Sequence, residues 1–533
     1  MLTIQNLSYT HLDKNLLFSN INLIVNPNEK IALIGNNGAG KTTLLRIIAG
    51  ELQPSDGMLK TDTKPYYIPQ IFGQYDHLTI ADALGVTQKL KALHEILNGN
   101  VSEKNYDLLN DDWTIEERCT TALNEWQLSG LDLSQKIETL SGGQKTKIFL
   151  AGISIHQPEL VLSDEPSNHL DISGRQCLYD FIQNTKCTMI VVSHDRKLLN
   201  HLNMVCELSR QGITVYGGNY DFYNEQKQIK ANALAQDIQS KEKALKKARE
   251  KERETIERRQ KLDARAKKNL GKAGLPKIVA NTWRNSAEKS TAKIEGTHSE
   301  KAGNISQELQ ELRSFLPETG KMKFGFDYSG LHEGKILFKA SGINFSYEHK
   351  EYIWNEPLSL QITSGERIAI KGSNGSGKTT LINIILGNLT PQTGTVAVTE
   401  SRSVYIDQDY SPINNKLKIY EQAQQFNTSA LHEHEIKIRL NRFLFTKEDW
   451  DKPCATLSGG ERMRLMLCCL SITDQSPDII VLDEPTNNLD IQNIEILTKA
   501  INEYKGTLLV ISHDEIFLEQ INIERVIELN INK

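Results

Sequence analysis

The 533-residue chain lacks any apolar run long enough to cross a bilayer and any cysteine pattern of a disulfide or metal framework. Its apolar runs, such as TMIVV (188–192), have the length of a strand, whereas a transmembrane helix needs ~20 residues. Seven cysteines are scattered without a C-x-x-C pair, and their odd number fits neither a disulfide framework nor an iron–sulfur cluster. The N-terminus, MLTIQNLSYTHLDK, lacks the regions of a secretory signal. We therefore expect a cytoplasmic protein with reduced cysteines and no membrane segment.

The chain repeats itself over more than 300 residues. LIGNNGAGKTTLLRIIAG (33–50) returns as IKGSNGSGKTTLINIILG (370–387), and LSGGQ (140–144) returns as LSGGE (457–461). LSDEPSNHLD (162–171) and VVSHD (191–195) return in the same order as LDEPTNNLD (482–490) and VISHD (510–514). The composition, 39% apolar and 24% charged, is that of a globular protein. The repeat therefore predicts two duplicated α/β domains.

Each half has a strand-like segment that enters the phosphate-binding pattern G-x-x-x-x-G-K-T. Such glycines let backbone N–H groups turn inward around phosphate oxygens, and the following helix N-terminus adds partial positive charge. The lysine is expected to reach the β- and γ-phosphates and the first threonine to bind Mg²⁺. The predicted phosphate-site residues are Gly35, Asn36, Gly38, Gly40, Lys41, Thr42 and Thr43 in the first half and Gly372, Asn374, Gly375, Gly377, Lys378, Thr379 and Thr380 in the second.

Two further apolar runs, ELVLSDEP and DIIVLDEP, each end in a pair of acids. This is typical of a buried parallel strand that delivers carboxylates at its C-terminal edge. Asp164 and Asp483 suit Mg²⁺ coordination, while Glu165 and Glu484 are placed to orient and deprotonate an attacking water. An exposed Asp-Glu pair at a turn is the alternative for either pair taken alone.

The segment between the repeats, roughly 221–318, is basic and helical in pattern. Residues 241–293 carry 18 Lys or Arg against 7 Asp or Glu, in a chain of net charge -5. Ile305, Leu309, Leu312 and Leu316 have the spacing of an apolar helix stripe, as do Ile238 and Leu245, and GKAGLP (271–276) breaks the helical pattern. These features predict a helical hairpin whose tip is 267–293; a solvated linker helix without a target is the alternative.

The motifs LSGGQ and LSGGE, together with the two phosphate loops, are similar to the signature motifs of the ATP-binding cassette proteins. The resemblance covers nearly the whole chain. In that family two cassettes pair head to tail, so that each ATP lies between the phosphate loop of one and the signature of the other. The resemblance implies a monomer with internal cassette pairing, ATP and Mg²⁺ as ligands, and two hydrolysing sites. It adds Tyr9, Gln70 and His194 to the first site, with Ser458, Gly459 and Gly460 from the opposite half. It adds Tyr347, Gln408 and His513 to the second, with Ser141, Gly142 and Gly143.

In these roles the tyrosines stack on adenine, the glutamines also contact Mg²⁺, and the histidines sense the γ-phosphate. A tyrosine that belongs to the core, and a loop histidine with local partners, remain open alternatives. The two halves differ at Gln144 against Glu461 and at Ser163 against Leu482. These differences permit unequal hydrolysis rates at the two sites.

The basic insertion narrows the resemblance to the ABC-F group, tandem cassettes that bind the ribosome. YGGNYDFY (216–223) looks like the junction that precedes the hairpin of that group. The resemblance implies binding at the ribosomal exit site, with contacts to large-subunit rRNA and to peptidyl-tRNA near the peptidyl-transferase centre. Lys277, Trp283 and Arg284 are the candidate RNA contacts at the tip, where the tryptophan either stacks on a base or packs the tip onto itself.

We expect a first cassette over 1–220, a linker over 221–318 and a second cassette over 319–533. The first half carries about 21 extra residues within 85–125, where ABC-F members place a short arm. A long linker and a short arm favour the ribosome-protection type that confers antibiotic resistance. A general translation factor of the same group, and the ATPase subunit of a membrane transporter, are the alternative functions.

Overall fold

The computed structural model describes residues 1–11, 14–70, 72–270, 300–313, 331–332, 334–347, 351–373 and 375–529. These residues form two compact units. One unit comprises the described parts of Met1–Phe222 and Met322–Lys533, and the other those of Tyr223–Lys321. Within the described ranges, no helix combines the length and apolar character needed to span a membrane.

The first half builds a mixed α/β domain. Its strands are β1 (Leu2–Thr10), β2 (Leu16–Val25), β3 (Lys30–Ile34), β4 (Asp56–Thr61), β5 (Tyr66–Ile68), β6 (Leu160–Asp164), β7 (Thr188–Val192), β8 (Met204–Ser209) and β9 (Gly212–Tyr216). Its helices are α1 (Lys41–Ile48), α2 (Ile80–Ala83), α3 (Thr87–Leu97), α4 (Glu103–Leu109), α5 (Ile115–Glu125), α6 (Gly142–His156), α7 (Ile172–Asn184) and α8 (Arg196–Asn200).

The central sheet of the first half has the strand order β5-β6-β7-β3-β8-β9 and is parallel except for the last pair. Strands β6 and β7 are buried at every residue, which explains their unbroken apolar sequences. A separate antiparallel sheet, β2-β1-β4, has one face on the core, so β2 alternates between buried and exposed side chains. Helix α1 packs in the same apolar core as both sheets.

The second half repeats this plan. Its strands are β10 (Ile336–Asn344), β11 (Leu358–Thr363), β12 (Arg367–Gly372), β13 (Thr393–Val398), β14 (Ser403–Ile406), β15 (Ile479–Asp483), β16 (Thr507–Ile511) and β17 (Arg525–Leu529). Its helices are α11 (Lys378–Ile385), α12 (Ile419–Gln425), α13 (Glu433–Arg442), α14 (Gly459–Ile472), α15 (Ile491–Glu503) and α16 (Glu515–Gln520). The parallel sheet has the order β14-β15-β16-β12-β17, beside an antiparallel sheet β11-β10-β13. The prediction of two repeated α/β domains is confirmed.

The first half carries more helix between its central strands than the second. Three helices, α3 to α5, occupy 87–125, whereas α13 alone stands between α12 and the signature helix α14 in the second half. The extra helices are packed rather than extended, because Leu90, Leu93, Ile96 and Leu109 are all buried. The insertion is therefore folded onto the first half, with α5 packed against α6.

The insertion between the halves is helical, as predicted. Helix α9 (Tyr220–Leu270) leads out of the first half, and a second helix, α10, covers 300–313. The two helices lie side by side: Lys241 pairs with Glu308, and Arg313 Nη2 lies 2.6 Å from Glu242 Oε1. Ile238 and Leu309, both from the predicted stripes, are buried. Leu316, Lys277, Trp283, Arg284 and the GKAGLP break lie outside the described residues.

Candidate functional site

The predicted ATP-site motifs of the first half meet at one edge of its parallel sheet. Strand β3 leads into the phosphate loop, β6 ends at Asp164 and β7 leads to His194. These three strands are neighbours and parallel, so their carboxyl ends lie side by side. In the second half β12, β15 and β16 bring Lys378, Asp483 and His513 together in the same way.

The phosphate loop of each half is built around its lysine. Lys41 Nζ donates to the carbonyl oxygens of Gly35, at 2.8 Å, and Asn36, at 3.3 Å. Lys378 Nζ donates to those of Gly372 and Ser373, both at 2.9 Å. The ammonium group is thereby held at the mouth of the loop, where a phosphate would meet it.

The helices that follow the loops begin without a side-chain cap. Helix α1 starts after Gly40 and α11 after Gly377, and no side chain in the described part of the chain caps either N-terminus. Both glycines have positive φ, 97° and 81°. A Cβ on Gly377 would lie 2.6 Å from Ile353 Cγ2. The free N–H groups are therefore available to an anion, and the tight packing around Gly377 requires glycine.

The proposed catalytic glutamates have strained backbones. Glu165 has φ 52° and Glu484 has φ 48°, values that side-chain-bearing residues rarely adopt. Each backbone N–H donates at 2.8 Å to the end of the neighbouring strand, at Val192 and Ile511. The same strained geometry in both halves directs each carboxylate toward the histidine of its own half.

Each glutamate lies against its histidine. His194 Nε2 is 3.4 Å from Glu165 Oε1, and the backbone N–H of His194 donates to Glu165 Oε2 at 3.3 Å. His513 Nε2 is 3.3 Å from Glu484 Oε1. All four side chains are at most 11% exposed. Within the described part of the chain, Oε1 of both glutamates and Nδ1 of both histidines make no hydrogen bond, which leaves them free for a water or a phosphate.

Burial dominates the ionisation of these groups. It raises the pKa of Glu165 to about 8, helped by the charge of Asp164, and that of Glu484 to about 7. It lowers the pKa of His513 to about 4 and that of His194 well below its ordinary value. Each site thus has a neutral histidine beside a carboxyl with a pKa near neutrality, which is the range in which a general base works best.

Two cavities hold most of the predicted residues, and both halves line each of them. The first, of about 400 Å³, is lined by Gly38, Gly40, Lys41, Thr42, Thr43, Gln70, Asp164, Glu165 and His194 with Ser458 and Asn488 of the second half. The second, of about 650 Å³, is lined by Tyr347, Gly375, Gly377, Lys378, Thr379, Thr380, Gln408, Asp483, Glu484 and His513 with Ser141, Gly142 and Gly143 of the first half. Both volumes are typical of a small-molecule site.

Several predicted residues lie beside the cavities rather than in their linings. Gly35, Asn36 and Gly372 hold the lysines through their carbonyl groups. Gly460 serves helix packing, because a Cβ there would overlap the Asn493 side chain on α15, and Gly459 has the Asn488 carbonyl at 3.4 Å from the same position. Asn374 lies outside the described residues.

The two predicted adenine-stacking tyrosines differ in placement. Tyr347 lines the second cavity, is 53% exposed and shares a hydrogen bond of 3.0 Å with Thr380 Oγ1. Tyr9 does not line the first cavity; its ring meets His11 edge-on at 5.5 Å, and His11 lines the cavity instead. The pairing of β1 with β2 has register shifts on both sides of Tyr9, which no sequence pattern shows.

The donor set fits a Mg²⁺ ion. Asp164 Oδ2 is buried without a hydrogen bond among the described residues; burial raises the pKa of this carboxyl, against the influence of the nearby Thr42 hydroxyl. In the second site Tyr405 donates to Asp483 Oδ2 at 2.7 Å. The described residues contain no group of three or more His, Cys, Asp or Glu arranged to hold a metal. This is consistent with an ion that takes hydroxyl, amide and phosphate oxygens beside one carboxylate.

Sequence reasoning missed residues that join the halves. The backbone N–H of Asn37 donates to Asp490 Oδ2 at 2.8 Å, and Asn37 Nδ2 donates to the Asn488 carbonyl at 3.1 Å. Asp171 and Asp490 are the last residues of the repeated motifs LSDEPSNHLD and LDEPTNNLD, and this repetition could have marked Asp490 as a candidate site residue. Arg175 reaches from the first half to the His513 carbonyl at 3.5 Å, and no repeated pattern marks it.

A tandem pair of nucleotide-binding domains that share two composite phosphate sites is the class that this fold and geometry define. Comparison with known proteins agrees, because the family model "ABC transporter" matches residues 18–168 and 355–487. The putative ATP-binding protein YdiF of Bacillus subtilis is 32% identical over 96% of this chain and 78% of its own length. ABC transporter F family member 5 of Arabidopsis thaliana is 31% identical over 94% of this chain and 71% of its own. The chain belongs to the ATP-binding cassette family and, within it, to the ABC-F group.

Among solved structures, the archaeal factor aABCE1, described as a ribosome recycling factor in complex with the ribosomal stalk protein aP1, shares the fold. It aligns with a TM-score of 0.59 at 18% identity, over 98% of this chain and 87% of its own. Cassettes of this family bind ATP with Mg²⁺ and hydrolyse it. This chain is therefore an ABC-type ATPase.

Proposed function

We propose that both composite sites hydrolyse ATP and that the energy of ATP binding and hydrolysis drives a cycle on the ribosome. The observation that carries the first part is the completeness of both sites. Each has a lysine-bearing loop, a buried Glu–His pair and a signature serine from the opposite half. Neither half has lost a group that hydrolysis needs.

In this proposal each residue has a simple task. Lys41 and Lys378 bind the phosphates, and Glu165 and Glu484 take a proton from the attacking water as general bases. His194 and His513, kept neutral by burial, position the γ-phosphate and the water. Thr42, Gln70 and Asp164 would hold Mg²⁺ in the first site, and Thr379, Gln408 and Asp483 in the second. The ion supplies charge neutralisation of the phosphates when bound.

The ribosome is the proposed partner because of the helical unit. Lys243, Lys247 and Lys251 of α9 are exposed and four residues apart, so they share one face of the helix. The opposing helix α10 contacts a different side, which includes Glu242 and Leu245. A row of cations on a free helix face suits the phosphates of RNA.

The proposed division of the chain is a first cassette (1–220), a linker (221–318) and a second cassette (319–533). In the ATP-bound state the linker enters the ribosomal exit site, and its tip, with Lys277, Trp283 and Arg284, acts on peptidyl-tRNA and the peptidyl-transferase region. The outcome that best suits a long linker and a short arm is ribosome protection against antibiotics in the cytoplasm. A relative with this fold is described as a ribosome recycling factor, which supports a ribosomal partner.

Co-sedimentation tests this proposal. The variant Glu165→Gln with Glu484→Gln keeps the size of both side chains but replaces one acceptor oxygen of each with an amide NH2 group and removes the proton acceptor. It is expected to bind ATP, release no phosphate and pellet with ribosomes through a sucrose cushion only when ATP is present. A variant that still releases phosphate at the parental rate would show that the base assignment is wrong.

Charge reversal tests the RNA contact. In the same background, Lys243→Glu with Lys247→Glu and Lys251→Glu should weaken ribosome binding. The slope of log affinity against log salt concentration should also become less steep, by about one for each phosphate contact that is lost. A control with the same charge change on exposed cassette residues, Lys64→Glu with Lys447→Glu and Lys505→Glu, should pellet as the parent does. Equal loss in both variants would contradict a specific role of α9.

A further inference from the structure

The first half reaches into the second ATP site through an arginine. Arg175, on α7, donates a long hydrogen bond of 3.5 Å from Nη1 to the carbonyl oxygen of His513. Its side chain is only 11% exposed, and it lines the same cavity as Lys378 and Glu484. The arginine therefore contacts the loop that carries the histidine of the second site from the opposite half.

Contacts within the first half hold this arginine in place. Arg175 Nε donates to the Leu170 carbonyl at 3.2 Å, and Nη1 lies 3.7 Å from Asp195 Oδ2. Asp195 is itself fixed, since Tyr179 donates to its Oδ2 at 2.6 Å and its Oδ1 caps α8. The guanidinium group is thus preorganised before it meets the second half.

The first site has no such contact among the residues that the structure describes. Arg175 stands four residues after Asp171, and the residue four after the equivalent Asp490 is Ile494. Ile494 is 1% exposed and belongs to the apolar core of the second half. An isoleucine can neither donate to the His194 loop nor place a charge beside Glu165.

We propose that Arg175, from the first half, is a positioning residue that holds the His513 loop of the second site. Hydrolysis at the second site then depends on a contact that is absent from the described part of the first site. The proposal rests on the proposed hydrolysis at both sites. The two sites are then unequal by construction.

Single-site backgrounds test the proposal. Glu165→Gln leaves only the second site able to turn over, and Glu484→Gln leaves only the first. Adding Arg175→Gln should lower kcat about tenfold or more in the Glu165→Gln background, with little change in KM for ATP, because a misplaced loop slows the chemical step more than it weakens ATP binding. In the Glu484→Gln background kcat should change less than about twofold, since Asp195 keeps its contacts with Tyr179 and α8.

Two controls separate positioning from general damage to the interface. Arg175→Lys keeps a cation that can reach the same carbonyl and should restore part of the lost kcat. Lys197→Gln removes a cation that also joins the halves, at 3.1 Å from Glu515 Oε2, but that lines neither cavity. This control should leave both backgrounds unchanged.

Equal loss in both backgrounds would overturn the proposal, because Arg175 would then only support the interface. No loss in either would also overturn it. If Glu165→Gln alone silences the protein, the two-site hydrolysis proposal fails, and Arg175→Gln is measured in the unsubstituted chain. There a lower kcat at an unchanged KM supports positioning, and an unchanged kcat contradicts it.

Discussion

At the scale of single residues, the site is organised around two buried carboxyl groups that the fold holds under strain. Glu165 and Glu484 share positive φ angles, burial and a histidine neighbour. Each of these features recurs at the equivalent position of the other half, within the repeated D-E-P segment. A strained backbone that the surrounding structure maintains in both halves is typical of a functional site.

The buried glutamates predict how stability depends on pH in the absence of nucleotide. Burial raises the pKa of Glu165 to about 8 and that of Glu484 to about 7. A carboxyl whose pKa rises on folding contributes stability that is complete below its ordinary pKa and is lost as the pH rises through the folded value. The parent should therefore lose stability between about pH 5 and pH 9, and Glu165→Gln with Glu484→Gln should lose less.

Thermal melts in chelator without nucleotide measure this difference. At pH 9 the double variant should melt at least about 2 °C above the parent, and the two should converge near pH 5. Glu400→Gln with Glu448→Gln removes two exposed carboxyl groups and serves as the control with an unchanged pH slope. Identical slopes for parent and double variant would contradict the burial of the Glu165 and Glu484 carboxyl groups.

Repetition made most site residues predictable from sequence. Lys41, Asp164 and His194 each stand in a motif that recurs, and parallel strands bring their positions to one edge. Arg175 and Tyr405 were not predicted. The repeat marks only residues that both halves share. Arg175 has an isoleucine, Ile494, at the equivalent position of the second half, so the repeat could not identify it.

At the scale of elements, the extra helices of the first half depend on one ion cluster. Asp112, between α4 and α5, accepts from Lys89 Nζ at 2.8 Å and from Arg118 Nη2 at 2.9 Å. Although burial raises it, these hydrogen bonds hold the pKa of Asp112 below its ordinary value. Asp112 therefore joins α3 to α5 through a carboxylate that is mostly buried. The other described ion pair between these helices, His94 with Glu116, is exposed.

Removing this charge should loosen the insertion without unfolding the cassette. Asp112→Asn is expected to cost about 1 kcal/mol, because both cations are more than a third exposed, and to speed hydrogen exchange within 87–125. A carboxyl with a lowered pKa contributes stability that is present above its ordinary pKa and is lost as the pH falls through the folded value, so the difference from the parent should shrink as the pH falls below the ordinary pKa of 3.8. Glu138→Gln, which breaks the exposed pair with Lys136, is the control with no effect. Unchanged exchange in Asp112→Asn would contradict the role of the cluster.

The elements themselves were predictable where the apolar pattern was clear. The buried runs of β6 and β7 and the stripes around Ile238 and Leu309 are examples. The fold of the insertion was less predictable, because α3 to α5 are short. Their packing also involves Asp112, which nothing in the sequence distinguishes from an exposed aspartate. His11 rather than Tyr9 lines the first cavity, and the spacing from Lys41 alone did not distinguish between these two residues.

At the scale of the molecule, both sites are shared between the halves. Asn37 contacts Asp490 and Asn488, Arg175 contacts His513, and Ser458 lines the first cavity. No local sequence pattern encodes how two domains dock, so of these residues only Ser458 was expected, through the family resemblance, and the contacts of Asn37 and Arg175 were not. Because residues of both halves line each cavity, a ligand in either cavity would contact both halves.

The most direct test of this arrangement is ATP turnover of signature-serine variants in single-site backgrounds. With Glu484→Gln, where only the first site turns over, Ser458→Ala should lower kcat about tenfold or more, while Ser141→Ala should have a much smaller effect. With Glu165→Gln the two serines should exchange roles. Because both serines cap their helices with the same geometry, each variant is the stability control for the other. Loss confined to the site in the same half as the substituted serine would contradict the composite sites on which the account depends.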